Sequence, residues 1–177
     1  LHPRVRRQRQ MCIRDSTYTI PLALVFCLFF LWAISSNLLP TMIRQLMKTC
    51  ELNTFEASFT ETAYWLAYFI FPIPIAMFMK RYSYKAGIIF GLVLAAIGGL
   101  LFFPAAILKE YWAYLCIFFI IATGMCFLET AANPYVTELG ARETAASRLN
   151  FAQSFNGLGC IFAPILTGLL LLSLIHI

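Results

Sequence analysis

The apolar residues of this chain come in five long blocks, each close to the roughly 20 residues a helix needs to cross a bilayer core. They run Ile20 to Leu46, Phe55 to Met79, Ala86 to Leu108, Tyr111 to Val136 and Leu149 to Leu171. The turns between them are short and leave no room for a soluble domain. In lipid, every backbone N–H and C=O must be satisfied within the structure, and these blocks are too long for barrel strands. Helices meet that demand inside each block. The expectation is therefore an all-α integral membrane bundle of five transmembrane helices. Composition agrees, because 61% of the 177 residues are hydrophobic and only 12% are charged. A soluble domain of this size carries far more surface charge.

The two ends read differently. Arg6 to Ser16 is the peptide obtained by translating a common transposase sequencing adapter, and Leu1 to Val5 fit the bases that precede it. Leu172 to Ile177 match the reverse complement of the adapter's end. Residues 1–16 and 172–177 are thus expected to be adapter-derived, with the transmembrane bundle confined to 17–171. Without them, five of the thirteen basic residues disappear along with Asp15, and the apparent basicity goes. No nucleic-acid footprint remains. Both histidines, His2 and His176, go as well, which removes the easiest metal-ligand or proton-shuttle reading. The remaining cysteines, Cys27, Cys50, Cys116, Cys126 and Cys160, form no CxxC pair and read as small buried hydrophobes. No metal and no cofactor are expected.

Basic residues near the helix ends set the orientation. Lys80, Arg81, Lys85, Arg142 and Arg148 fall on one side, and Arg44, Lys48 and Lys109 on the other. The balance favours a cytoplasmic N-terminus. Tyr111, Trp112 and Tyr114 suit an interfacial aromatic belt. The chain also carries a faint internal echo. Asn37 and Pro40-Thr41 in the first span resemble Asn133-Pro134 and Thr137 in the fourth, while FEASF (Phe55 to Phe59) resembles FAQSF (Phe151 to Phe155). A repeat of three helices would pair the first span with the fourth and the second with the fifth. Helices interrupted at matching points of two repeats are where transporters place their sites.

Glu129 is the residue that most demands explanation. A charge at such depth costs at least about 2.5–3.5 kcal/mol, so it must face the bundle interior or a water cavity, or bind a proton. Asn133 and Thr137 follow at intervals of four and share its helix face. This polar stripe suits hydroxyl recognition and proton exchange; a structural hydrogen bond between helices is the alternative. The fifth span adds Asn150, Gln153, Ser154 and Asn156. Gln153 and Asn156 can point to one side, and their amides both donate and accept, as a sugar's hydroxyls require. Interhelical hydrogen bonds account for them equally well. The first span offers Ser35, Ser36 and Asn37. Glu61, with Ser58, Trp65 and Tyr68 on its face, is the second acidic residue inside a span; function and snorkelling to the headgroups both fit it. Pro72, Pro74, Pro104 and Pro164 are expected to bend or end helices.

The strings CFLETAANPYVTELG (Cys126 to Gly140) and RLNFAQSFNGLG (Arg148 to Gly159) resemble the fucose permease family of the major facilitator superfamily. FLWAISSN (Phe30 to Asn37), YFIFPIP (Tyr68 to Pro74) and YSYKAGI (Tyr82 to Ile88) fit the same family in the same order. The resemblance covers Thr17 to Leu171. It implies five helices of a six-helix N-terminal half, with the C-terminal half of the same chain as the missing partner. Glu129 matches the family's fourth-helix glutamate, implicated in sugar binding and proton coupling. Gln153 and Asn156 match polar fifth-helix residues that face the cavity, and Asn37 matches a first-helix asparagine.

One departure stands out. The family's N-x-x-D pattern reads Asn37-Leu38-Leu39-Pro40 here, without its aspartate. Glu61 on the neighbouring helix is the candidate to take over part of that role. Proton coupling is thus expected at Glu129 and Glu61, and sugar binding at Asn37, Glu129, Asn133, Gln153 and Asn156. The resemblance implies uptake of a neutral monosaccharide with protons across a bacterial inner membrane, the 177-residue chain alone being inactive. A facilitator or antiporter of the same fold is the competing reading. The sequence carries neither HExxH nor GxSxG, so no enzyme is expected.

Overall fold

The computed structural model describes residues 3–108 and 110–175, with side chains over 19–48, 50–108 and 110–169. Lys109 and the side chains of the two expected adapter segments lie outside the described residues. The described residues form six α-helices and one short 3-10 turn: α1 (Pro3–Thr49), α2 (Thr54–Ile70), α3 (Pro72–Arg81), α4 (Tyr84–Leu108), α5 (Tyr111–Glu138), the 3-10 turn Arg142–Thr144, and α6 (Ala145–Ile175). The five expected spans correspond to α1, α2 with α3, α4, α5 and α6.

The second span is one apolar block in sequence and two helices in space. α2 begins at a capping box: Asn53 Oδ1 accepts from the Glu56 N–H at 2.9 Å, and Glu56 Oε2 accepts from the Asn53 N–H at 3.0 Å. The axis bends by 42° at Phe71. Pro72 and Pro74 have no N–H, so the carbonyls of Tyr68 and Ile70 lose their helical donors and the ladder opens there.

By length and composition α1, α4 and α5 are each able to cross a membrane, and the bent α2–α3 pair makes a fourth span. α6 is helical throughout, with Asn150, Gln153, Ser154 and Asn156 in its first half.

α5 is the centre of the bundle and touches every other helix. Its closest neighbour is α4, where Gly91 and Gly124 meet: a Cβ on Gly124 would sit 2.8 Å from both the Gly91 O and the Ala95 N. Small residues bring helices together where lipid supplies no hydrophobic drive of its own. α1 lies against α6, and α2 against α5. Exchanging the first span with the fourth and the second with the fifth maps one of these contacts onto the other. This is the packing symmetry that the sequence echo predicts.

Two expectations need correction. Tyr114 is only 7% exposed and packs among Leu46, Ala57 and Tyr64, so it belongs to the core. Tyr111 is half-buried and ties α5 to α2 by donating to the Glu56 carbonyl at 2.9 Å, leaving the exposed Trp112 to suit an interface. Of the five cysteines read as buried hydrophobes only Cys126 is buried, while Cys27, Cys116 and Cys160 are exposed. A thiol gains little from the core when the surroundings are lipid, which is as apolar as the interior.

Candidate functional site

The polar residues of the spans gather where α1, α5 and α6 meet. Glu129 and Asn133 sit half-buried on α5, one turn apart, and Asn133 Nδ2 donates to the Glu129 carbonyl at 3.2 Å. From α6, Gln153 Nε2 reaches across to Asn133 Oδ1 at 3.3 Å. A second bridge joins α6 to α1: Asn37 Nδ2 lies 3.3 Å from Cys160 Sγ, and Cys160 Sγ lies 3.6 Å from Asn156 Oδ1. Asn37 also donates to the Ala33 carbonyl at 2.8 Å, which steadies its side chain against its own helix. Four of the five expected sugar-binding residues are thus held in two cross-helix bridges, and Glu129 stands one turn from the first of them.

Proline placement explains why this region is rich in acceptors. Pro40, Pro134 and Pro164 remove the helical donors of the Ser36, Thr130 and Cys160 carbonyls respectively. Each freed carbonyl belongs to the polar region. An amide here can both donate and accept, and a carboxyl switches between donor and acceptor as it gains or loses a proton. That combination can hold a polyhydroxylated, uncharged ligand and exchange a proton beside it.

Not every expected member joins. Thr137 Oγ1 turns back to the Pro134 carbonyl at 2.7 Å, and its own carbonyl accepts from Arg148 Nη2 at 3.1 Å. It serves the end of α5 rather than the stripe. Glu61 is exposed on α2, in an open groove of about 460 Å³ lined by Ser58, Thr62, Trp65, Leu66 and Phe69. The structure does not bring it into the cluster around Glu129.

Arg148 carries more than the orientation count implied. Its guanidinium donates to the carbonyls of Val136, Thr137 and Ala141 and to the Thr144 hydroxyl. It therefore caps the orphan carbonyls at the C-terminus of α5 while standing on α6. Cys160 was likewise read as a core filler and instead mediates between two amides. Its position four residues after Asn156 was the available signal.

Proline-interrupted helices, with amides and one carboxyl gathered where α1, α5 and α6 meet, are arranged in the way that transporter folds build their sites. The chain belongs to the Major Facilitator Superfamily, whose family model matches residues 22–176. It is 47% identical over 160 residues to the L-fucose-proton symporter of Escherichia coli, covering 90% of this chain and 36% of that one. It is 42% identical over 159 residues to a glucose/galactose transporter of Brucella abortus, covering 90% and 39%. The crystal structure of the Escherichia coli fucose:proton symporter superposes with a TM-score of 0.75 at 46% identity, over 88% of this chain and 37% of that one. The chain thus spans little more than a third of the length of these relatives. The resemblance seen in the sequence is to the relatives now found.

Proposed function

We propose that this segment forms one wall of the binding cavity of a proton-coupled transporter for a neutral monosaccharide of the fucose, galactose or glucose type. The reading is carried by the two amide bridges, Gln153 to Asn133 and Asn37 through Cys160 to Asn156, the first of them one turn from Glu129. The similarity to a fucose-proton symporter supports it. Asn37, Asn133, Gln153 and Asn156 contact sugar hydroxyls, exchanging their mutual hydrogen bonds for bonds to the ligand. Glu129 binds the proton and a hydroxyl in turn. Glu61, in its separate groove on α2, acts as a second coupling carboxyl.

The opposite wall comes from the C-terminal half of the chain, and the bundle sits in a bacterial inner membrane with its N-terminus cytoplasmic. Residues 1–16 and 172–177 are adapter-derived and take no part. Alternating access then amounts to rocking of two halves about the site.

The test uses the full-length transporter in proteoliposomes. An imposed inward proton gradient should drive sugar above its equilibrium level, and a protonophore should abolish that accumulation. Accumulation that survives the protonophore favours a facilitator or antiporter of the same fold. Glu61→Gln should abolish uphill accumulation while sparing sugar exchange; unchanged accumulation removes Glu61 from the coupling set.

A further inference from the structure

α6 packs chiefly on α1 and touches α5 far less extensively. The amides of the site are divided accordingly. Asn37 and Asn156 meet through Cys160 between α1 and α6, whereas Asn133 stands on α5. Gln153 crosses from α6 to α5 and reaches Asn133 at 3.3 Å. That bond needs the two helices in one register, and Arg148 is placed to set it. On α5 Thr137 follows Asn133 by four residues, and on α6 Arg148 precedes Gln153 by five. The helices run antiparallel from a short turn, so the Arg148–Thr137 contact is the next rung toward that turn. Between the two rungs, Ala132, Val136 and Ala152 belong to one buried cluster.

The guanidinium of Arg148 is gripped from several directions. Nε donates to the Val136 carbonyl at 3.3 Å and Nη2 to the Thr137 carbonyl at 3.1 Å, both on α5. Nη1 donates to the Ala141 carbonyl at 2.9 Å and to the Thr144 hydroxyl, both in the turn. Each partner is an uncharged oxygen, and the carbonyl end of a helix carries the partial negative charge that favours a cation. The planar fork fixes the direction of every donor, so these oxygens decide where the group sits and how it is turned. The turn is shaped to receive it. Gly140 has φ +101°, and a Cβ there would stand 3.3 Å from Nη1 and 3.4 Å from Cζ. Glycine meets both demands at once. An arginine carried by α6 and held by the last turn of α5 opposes sliding of one helix along the other.

We propose that Arg148 is a positioning residue for sugar recognition, its clamp fixing α6 against α5 so that Gln153 and Asn133 keep the spacing a ligand needs. The role rests on the reading of those two amides as sugar contacts. Arg148 touches no ligand itself. When sugar hydroxyls replace the Gln153–Asn133 bond, nothing else polar joins α5 to α6 at that level, and the clamp one rung away holds the amides apart by the same distance. A site whose donors and acceptors are already in place binds with less ordering cost.

Arg148→Lys tests this in the full-length protein, because lysine keeps the charge at the end of α5 but a single ammonium cannot span the oxygens that the fork joins. Thr144→Val, which removes one acceptor alone, is a milder step in the same direction should the first variant fold poorly. KM and maximal rate of sugar exchange are measured in proteoliposomes, alone and combined with Gln153→Ala. Arg148→Lys should raise KM by up to about fivefold, the ceiling set by the one amide bond it positions. The maximal rate per folded protein should change by less than about twofold, within the scatter of independent sites. With Gln153→Ala already present, Arg148→Lys should raise KM no further. A fall in folded protein with KM unchanged overturns the proposal, since that pattern marks a purely structural cap. KM effects that multiply in the double variant overturn it as well, because Arg148 then acts independently of the bridge. A sugar-free readout comes from Asn133→Cys with Gln153→Cys in a background lacking other cysteines, where Arg148→Lys should slow disulfide formation severalfold. An unchanged rate also overturns the proposal. Should Gln153→Ala alone leave KM unchanged, the sugar-contact reading fails on its own, and the cross-linking rate decides whether Arg148 sets the register.

Discussion

α4 and α5 lie against each other, and each is long and apolar enough to cross a membrane, yet their characters are opposite. In the most apolar stretch of α5, 56% of the residues are buried inside the bundle; in that of α4 the share is 17%. Between Ala86 and Leu108, α4 carries no polar side chain at all. α5 carries Glu129 and Asn133 and touches every other helix. Apolarity thus decides only that both helices enter the membrane. Burial and the placement of a few polar groups decide which one bears a site. α4 acts as a strut, joined to α5 through Gly91 and Gly124 and through the Phe90–Phe127 and Phe102–Phe118 ring contacts, with much of its remaining surface exposed.

The largest effect that would break this comparison belongs to Glu129. In the full-length protein Glu129→Gln keeps the size of the side chain but removes its exchangeable proton. Uphill sugar accumulation in proteoliposomes is expected to vanish, leaving at most equilibration. Retained accumulation would falsify the assignment of α5 as the coupling helix. Next comes the joint between the two helices. A Cβ at Gly124 would stand 2.8 Å from backbone atoms of Gly91 and Ala95, which cannot swing aside as a side chain can. Gly124→Val should therefore cost about 3 kcal/mol or more, at the upper end of overpacking penalties. Gly99→Val is the control, because a Cβ there meets nothing within 4 Å. Unfolding in mixed micelles compares the two, and equal stability would mean that α4 does not approach α5 through Gly124.

Much of this contrast was legible in the sequence. Five apolar blocks of bilayer length read directly as helices, because lipid leaves the backbone no other partner. Glu129 stood out because a carboxyl at that depth demands a reason. Spacing was less reliable near helix ends: Thr137 shares a face with Asn133, but the terminal turn of α5 recruits it for the Arg148 cap. The bend at Phe71 was only half legible, since Pro72 and Pro74 announce a break but not its 42° angle. Asn53-x-x-Glu56 was a readable start signal for α2 that hydropathy alone passes over. Cys27 and Cys116, which are exposed, were misread by applying soluble-protein logic to a chain whose exterior is apolar.

Smaller effects sharpen the same contrast. Gln153→Ala removes the bridge to Asn133 and frees one amide, worth about 1 kcal/mol by typical hydrogen-bond values. The KM for sugar exchange should rise several-fold with little change in maximal rate. A fall in maximal rate with KM unchanged would mean that Gln153 serves the conformational change rather than the ligand. The least effect is expected on the outward face of α4. Leu100 is 76% exposed in this bundle and Phe103 likewise 76%. A side chain facing lipid trades one apolar neighbour for another when it is shortened, so neither transfer nor cavity terms apply in full. Leu100→Ala and Phe103→Ala should each change stability in mixed micelles by less than about 0.5 kcal/mol, the usual range for an exposed site away from any special feature. A loss of about 2 kcal/mol, typical of emptying a packed position, would show that another part of the full-length chain covers this face. α4 would then be an inner helix like α5, and its polar-free surface would need a partner rather than a bilayer to explain it.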